Sequence, residues 1–222
     1  MTALPVIAID GPAASGKGTL ARRIAQALGF AHLDTGRLYR AVGLSVLKRG
    51  EDPADPAAAQ RAVEALDLSL LEDPALRSDK TGGAASKVAA IQAVRDALLD
   101  FQRNFAAHPP GAKGAVLDGR DIGTVICPDA TVKLFVTASP ETRAKRRFLE
   151  LKTEGSTRTE DQVLADIQTR DARDSGRTVA PLRQASDAYL LDTTHLDIET
   201  AVARALEIVR AGLARQMGDA RA

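Results

Sequence analysis

A glycine-rich stretch near the N-terminus has the composition of a phosphate-binding loop. In VIAIDGPAASGKGTLARRIA, the residues Gly11, Gly16 and Lys17 fit the pattern G-x-x-x-x-G-K-[ST]. Gly18 stands where the pattern has serine or threonine, and Thr19 follows one residue later. A glycine-rich turn between a strand and a helix offers several backbone N–H groups to one anion, and a lysine adds a mobile positive charge. The stretch therefore predicts a site for nucleotide phosphates.

The segment VLDGRDIGT carries a second chemical signal. Asp118 ends an apolar, strand-like run. A carboxylate at the end of a buried strand beside a phosphate loop is placed to bind Mg²⁺ through water. Gly119 permits a tight turn, after which Arg120 can reach a phosphoryl group in transfer. A chance D-G-R-D turn is the alternative for this segment taken alone.

Arginines recur at helical spacing in IQTRDARDSGRTVAPL. Arg170, Arg173, Asp174 and Arg177 occupy positions i, i+3, i+4 and i+7, which is one stripe on a helix, although Gly176 could end the helix first. Three like charges on one face repel each other unless an anion binds there. A solvated, salt-bridged surface is the alternative for this stripe.

Alternating strand-like and helical patterns predict the elements that must position these residues. The strand-like runs are LPVIAID, FAHLD, AVLD, TVKLFVTA and AYLLD. The helical segments are GKGTLARRIAQALG, closed by Gly29; TGRLYRAVGLSVLKRG, opened at Thr35 and closed at Gly50; residues 56–66; residues 92–107; a helix starting at Ser139-Pro140-Glu141; and residues 197–215. Residues 67–80 are predicted to be rich in loops. Such alternation predicts an α/β fold with a parallel central sheet.

Composition limits the possible functions. The 222 residues are 45% hydrophobic, carry a formal net charge of +1 and fit one domain. No charge block supports general nucleic-acid binding, and no apolar run reaches the roughly 18 residues of a membrane span. One cysteine, Cys127, and an N-terminus without a basic leader predict a cytoplasmic protein, with a monomer as the default. The three histidines, His32, His108 and His195, have no spacing suited to metal binding or catalysis, and we expect structural roles for them.

The motifs together resemble one family. GKGT is similar to the loop of nucleoside monophosphate kinases, and LDTGRLYR matches the D-[ST]-G-x-x-Y-R segment of bacterial cytidylate kinases. AASKVAAIQAVR, DGRD and RDARDSGR match the same family, in family order along nearly the whole chain. The resemblance implies a three-layer P-loop NTPase fold. It also implies ATP·Mg²⁺-dependent phosphorylation of CMP and dCMP to CDP and dCDP, by in-line transfer without a covalent enzyme intermediate.

The resemblance also implies roles for individual residues. The expected ATP-binding residues are Gly11, Pro12, Ala13, Ala14, Ser15, Gly16, Lys17, Gly18, Thr19, Arg146, Arg158 and Arg173. The expected CMP-binding residues are Thr35, Tyr39, Arg40, Ser86, Arg95, Gly119, Arg120, Asp121, Arg170, Asp174 and Arg177. Lys17, Arg120, Arg170 and Arg177 are the expected catalytic residues, and Thr19 and Asp118 are expected to serve Mg²⁺. Asp121 would accept a hydrogen bond from the cytosine amino group and repel the carbonyl that uracil has there.

Two segments are assigned by the same resemblance. Residues 1–222 are expected to form a single kinase domain, with an acceptor-binding region at about 35–113 and a lid with an arginine-rich helix at about 147–177. The insert between Leu66 and Ser86 is shorter than in many family members, and we expect a loop or one hairpin there. Residues 148–158, framed by Arg146, Arg147 and Arg158, are expected to form a small lid over the donor.

Two other functions stay open at this stage. One is a phosphate-loop kinase that acts on UMP or on an acceptor that is not a nucleotide; Asp121, Ser86 and Arg95 argue against it. The other is a non-catalytic nucleotide-binding module that recognises a protein partner. That alternative has to explain why acceptor-side arginines accompany the donor loop.

Overall fold

The computed structural model describes residues 4–219, and a parallel five-stranded sheet lies at the centre. The strands are β1 Val6–Asp10, β2 Ala31–Asp34, β3 Ala115–Gly119, β4 Val132–Thr137 and β5 Tyr189–Asp192. Their order is β2-β3-β1-β4-β5, so the first strand is also the central one. All four pairings are parallel, as the sequence predicts.

Eight α-helices connect and cover the strands in the described part of the chain. They are α1 Lys17–Leu28, α2 Thr35–Lys48, α3 Pro56–Glu64, α4 Asp79–Val88, α5 Gln92–Ala107, α6 Pro140–Thr153, α7 Glu160–Gly176 and α8 Ile198–Asp219. Helix α6 is capped by Ser139 and starts at Pro140, as predicted, and α7 begins with a capping box between Thr159 and Gln162. No helix among residues 4–219 is long and apolar enough to cross a membrane.

The two faces of the sheet bury different helices. Alternate residues of β1 point to opposite faces, so Ile7 and Ile9 pack with α1 and α8, while Ala8 joins the face covered by α5. Ile7 and Ile9 are fully buried, and each such side chain contributes about 1.5–3 kcal/mol of hydrophobic stabilisation. Helices on both sides of one sheet make the three layers that the sequence predicts.

The shortened insert, expected to be a loop or one hairpin, forms short helical turns and no hairpin among the described residues. Residues Leu68–Glu72 and Pro74–Arg77 are two short 3-10 turns, and α4 follows at once. The side chains of Asp67, Asp73 and Ser78 each accept a backbone N–H of the turn that follows. Three consecutive caps favour tight helical turns over extended pairing.

Two further local features are the start of α2, which begins at Thr35 as predicted, and the segment expected to form a lid. Asp34, not Thr35, caps α2, because its carboxylate accepts the N–H of Arg37 while the Thr35 hydroxyl donates to Asp118 O at 2.8 Å. The segment expected to form a lid is helical as far as Thr153, where α6 ends. The turn that remains, residues 154–159, joins α6 to α7.

Candidate active site

The carboxyl ends of the parallel strands meet at one edge of the sheet, and the candidate site lies there. Asp10 lies beside Gly119, and Asp34 lies beside Asp118, in the register of the neighbouring strands. The phosphate loop follows β1 directly. In open α/β sheets this edge is where ligands bind.

The loop packs against β4 so closely that it excludes a side chain at its first glycine. Gly11 has φ 154°, and a Cβ there would lie 2.0 Å from Val136 O. Ala14 adopts φ 57°, in the left-handed region that costs a non-glycine residue about 1–2 kcal/mol. Glycine would adopt this conformation without that cost.

Lys17 is the first residue of α1, and its ammonium group is held at the loop. Its Nζ donates to Pro12 O at 3.2 Å. The pKa of Lys17 is lowered to about 7, first by burial and then by the charge of Arg120, while the charge of Asp118 acts in the opposite direction. A phosphate bound at the loop would favour the charged form, so this lysine is suited to bind an anion.

Asp118 is held at two points at the end of β3. Its backbone carbonyl accepts the Thr35 hydroxyl, and its Oδ1 lies 2.7 Å from His32 Nε2. The second oxygen, Oδ2, faces α1, because a Cβ on Gly18 would lie 3.7 Å from it. The glycine that departs from the usual loop pattern therefore leaves space between the carboxylate and the first turn of α1.

These residues fit a Mg²⁺ ion that arrives with a nucleotide. Within residues 4–219, no group of three or more His, Cys, Asp or Glu side chains is arranged to hold a metal ion by itself. Asp118 supplies one buried carboxylate, so phosphate oxygens and water would complete the coordination, as Mg²⁺ prefers. Thr19 is half-buried on α1 and does not line the cavity beside the loop, so its predicted metal role stays a prediction.

A cavity of about 250 Å³ opens beside the loop. All eleven residues predicted to bind CMP line it: Thr35, Tyr39, Arg40, Ser86, Arg95, Gly119, Arg120, Asp121, Arg170, Asp174 and Arg177. Of the loop, Ala13, Ala14, Lys17 and Gly18 reach it, and Asp118 does as well. The fold therefore brings together residues that are up to 164 positions apart in the sequence, from Ala13 to Arg177.

One end of this cavity is built around Asp174, a buried carboxylate on α7. It accepts hydrogen bonds from Ser86 Oγ at 2.8 Å and from Arg120 Nε at 3.0 Å. Burial alone would raise the pKa of Asp174, but the Arg120 charge and these hydrogen bonds lower it overall. The carboxylate stays ionised and fixes the position of Arg120.

A second buried pair lies deeper in the cavity. Arg95 on α5 donates to Asp121 Oδ2, and its guanidinium lies 5.8 Å from the centre of the Tyr39 ring. Arg177 approaches the other Asp121 oxygen at 3.8 Å, yet its buried Nη2 makes no hydrogen bond in the described structure. One carboxylate thus faces two guanidinium groups, which leaves positive charge for an anion.

Two further arginines, Arg40 and Arg170, converge beside Gly82. A Cβ built on Gly82 would lie 3.2 Å from a nitrogen of Arg40 and 3.2 Å from one of Arg170. The pKa of Arg170 is lowered to about 10, first by burial and then by the charges of Arg120 and Arg40. Guanidinium groups gathered this closely form a site for a phosphate.

The three arginines predicted to bind the donor contact other protein groups, and in the described structure only Arg146 is linked to the phosphate loop, because its partner Thr193 donates a hydrogen bond to Ser15 O at 3.2 Å. Arg146 donates to Thr193 Oγ1 at 3.0 Å and to Thr193 O at 2.7 Å. Arg158 and Arg173 line a second cavity of about 140 Å³ between α4, α6 and α7. Arg158 pairs there with Asp79 at 2.9 Å. The donor roles of these three residues stay predictions.

Four residues outside the predicted site contribute to it, and one of them is His32, for which the sequence predicts only a structural role. Asp34 lines the cavity, His32 contacts Asp118, and buried Arg143 donates to Ala13 O of the phosphate loop at 3.2 Å. Asp10 accepts the N–H groups of Ile122 and Gly123 at 2.7 and 2.8 Å, which holds the turn after Asp121. Burial raises the pKa of Asp10 to about 6. The sequence feature that could have indicated these residues is their position: three lie at or next to a strand end, and Arg143 lies in α6, the helix that follows β4.

Comparisons with known proteins agree with this geometry. A family model described as Cytidylate kinase matches residues 7–211. The chain is 62% identical over 205 residues to the cytidylate kinase of Rhodospirillum rubrum, covering 92% of this chain and 96% of that one. It is 60% identical over 204 residues to that of Paramagnetospirillum magneticum, with 92% and 97% covered.

A solved structure shares the fold. An uncharacterized protein from Eubacterium ventriosum superposes with a TM-score of 0.53 at 14% identity, over 91% of this chain and 96% of that one. At this identity the likeness concerns the fold alone.

Proposed function

The chain belongs to the cytidylate kinase family, and we propose that it transfers the γ-phosphoryl group of ATP to CMP and dCMP, giving CDP and dCDP. One observation carries the proposal beyond the family. The cavity beside the phosphate loop gathers all the residues expected to contact CMP, and these include an arginine set that nucleotide binding alone would not require.

At the donor end, we assign the β- and γ-phosphates to the loop backbone and Lys17. The loop amides and the N-terminus of α1 point at the anion, and the ammonium group follows the phosphoryl oxygens during transfer. Mg²⁺ bound with the nucleotide, and held through water by Asp118, would neutralise part of the phosphate charge. Thr19 is the second residue that we assign to the Mg²⁺ ion.

At the acceptor end, Arg40, Arg120 and Arg177 would hold the CMP phosphate. Fixing that phosphate in line with the γ-phosphoryl group supplies most of the catalysis, because phosphoryl transfer depends on positioning and on compensating charge. Arg170 lies next to Arg40 and adds positive charge where the two nucleotides would meet. No residue is needed as a covalent carrier.

The sugar and base would be recognised by the paired residues. Arg170 and Asp174 are assigned to the ribose hydroxyls, and Ser86, Arg95 and Asp121 to the cytosine ring. The ion pair with Arg95 orients Asp121 before substrate binds. A carboxylate accepts the amino group of cytosine and repels the carbonyl of uracil.

The regional assignments are also proposals. We propose that residues 1–222 work as one kinase domain, with residues 35–113 binding the acceptor. Residues 147–177 would form the lid and arginine-rich helix, from which Arg146, Arg158 and Arg173 turn to the donor when ATP binds. Such closure excludes water from the phosphates. A cytoplasmic location and a monomeric state stay predictions.

The test is a coupled ADP-release assay with ATP·Mg²⁺ and a panel of CMP, dCMP, UMP, AMP, GMP and dTMP. We expect strong turnover with CMP and dCMP and far weaker turnover with UMP. Lys17→Met, which keeps the length of the side chain without its charge, serves as the inactive control. Equal rates with CMP and UMP would overturn the role given to Asp121. Binding of ATP without turnover on any acceptor would favour a non-catalytic module.

A further inference from the structure

We propose that His32 is a positioning residue that orients the Asp118 carboxylate for the metal–nucleotide complex. The inference rests on the proposed function and deepens it. His32 lies in β2 and Asp118 at the end of β3, and the two strands are parallel neighbours. His32 Nε2 lies 2.7 Å from Asp118 Oδ1.

The direction of this hydrogen bond follows from the chemistry of the two groups. An ionised carboxylate has no hydrogen to donate, so the imidazole Nε2–H donates and Asp118 Oδ1 accepts. The Asp118 side chain is 4% exposed and that of His32 is 19% exposed, so water competes weakly for the bond. A hydrogen bond to a buried carboxylate restricts how that carboxylate can rotate.

The two oxygens of Asp118 therefore have different roles. Oδ1 is occupied by His32, while Oδ2 faces the first turn of α1 across the space beside Gly18. The Thr35 hydroxyl fixes the Asp118 backbone at the same time. With the backbone and one oxygen fixed, the free oxygen points towards the phosphate loop, where a water ligand of Mg²⁺ would need an acceptor.

No other described contact duplicates the role of His32. In residues 4–219, the Asp118 side chain makes no other hydrogen bond or ion pair within bonding distance. Without His32, the Asp118 carboxylate would rotate more freely and could also approach Lys17. The two groups already interact, because the Asp118 charge acts to raise the pKa of Lys17. Groups that orient a metal-binding residue in this way are typically worth about 10- to 100-fold in metal affinity or activity. We expect about tenfold here, because the metal contact runs through water.

The experiment compares His32→Gln with His32→Met. Glutamine places an N–H donor close to the position of Nε2, while methionine has similar length and no donor. The probe is Mn²⁺, titrated by electron paramagnetic resonance into the full-length protein with ADP. Turnover with CMP at varied Mg²⁺ is the second readout, and His108→Met, at an exposed histidine bonded to Asn104, is the control.

We expect His32→Met to weaken Mn²⁺ binding to the ADP complex by about tenfold and to raise the Mg²⁺ requirement of turnover equally. KM for CMP should stay within about twofold, and His32→Gln should recover most of the loss. Equal impairment of both variants would mean that His32 acts by packing, and an unchanged His32→Met would mean that it has no role. Either result overturns the proposal. Because Mn²⁺ binding is measured without turnover, it still tests the role of His32 if the wild-type protein fails to phosphorylate CMP.

Discussion

The two ends of the central cavity are built by different means. At the acceptor end, side chains bind each other: Asp174 holds Arg120 and Ser86, and Asp121 holds Arg95. At the donor end, the backbone of a glycine-rich loop forms the site, and the Lys17 ammonium bonds to a loop carbonyl. The side chains of the acceptor end are therefore positioned before a ligand arrives, whereas the Lys17 ammonium group of the donor end needs bound phosphates to fix its position. Variants at the two ends should therefore fail in different ways.

The largest expected effect is at the acceptor end. Arg177→Ala removes a guanidinium that has positive charge to spare for the acceptor phosphate, so turnover should fall by about 10³- to 10⁵-fold, or 4–7 kcal/mol of barrier. Steady-state kinetics with CMP measure the loss, and circular dichroism checks the fold. Arg183→Ala, at an exposed arginine six residues away, is the matched control. Near-normal turnover in Arg177→Ala would show that the acceptor phosphate is held elsewhere.

Asp10 connects the two ends, and its ionisation should be visible in stability. Burial raises its pKa from 3.8 to about 6, so the folded protein binds a proton more tightly than the unfolded chain. This group therefore stabilises the fold less as pH rises from about 3 to about 7, by about 3 kcal/mol in total. We expect the free energy of unfolding of wild type, relative to Asp10→Asn, to fall by about 2–2.5 kcal/mol between pH 4 and pH 7. Urea denaturation at each pH measures it, and a constant difference would contradict a raised pKa.

The ion pair between Arg95 and Asp121 at the acceptor end should set the selectivity for the base. Asp121→Asn keeps the shape but can donate to the uracil carbonyl, so the preference for CMP over UMP should fall by about 10- to 150-fold, or 1.5–3 kcal/mol. The ratio of kcat/KM values for the two acceptors measures it. Asp129→Asn, at an exposed aspartate in the following loop, controls for the charge change. An unchanged ratio would mean that other groups read the base.

The smallest effect is expected at the ion pairs of Asp79 with Arg147 and Arg158. Asp79 at the start of α4 pairs with Arg147 and Arg158, both at 2.9 Å. These pairs connect α4 with α6 and with the turn between α6 and α7. These pairs are partly exposed, so Asp79→Asn should change the free energy of unfolding by less than about 1 kcal/mol. Amide hydrogen exchange in residues 154–159 should still become faster. Slower or equal exchange would contradict a restraining role for Asp79.

The sequence was sufficient to predict the parallel sheet, and the eleven residues expected to bind CMP line one cavity, where their binding roles stay predictions. Apolar strands and caps such as Ser139-Pro140 are local signals, and the motifs carried the family resemblance. Asp10 and His32 could not be assigned in this way, because their partners lie 112 and 86 residues away and become neighbours through strand order. Between Leu66 and Ser86, where a loop or one hairpin is expected, the caps at Asp67, Asp73 and Ser78 favour helical turns over a hairpin.

The central place of β1 also has a consequence for how the chain folds during synthesis. β1 leaves the ribosome first, yet its two neighbours, β3 and β4, are made roughly 110 and 125 residues later. At 5–20 residues per second, VIAID therefore waits about 5–25 s without a strand to pair with. During that interval an apolar segment with free edges is open to association with other chains. The strand that organises the finished sheet is thus the one most exposed to misassembly while the protein is being made.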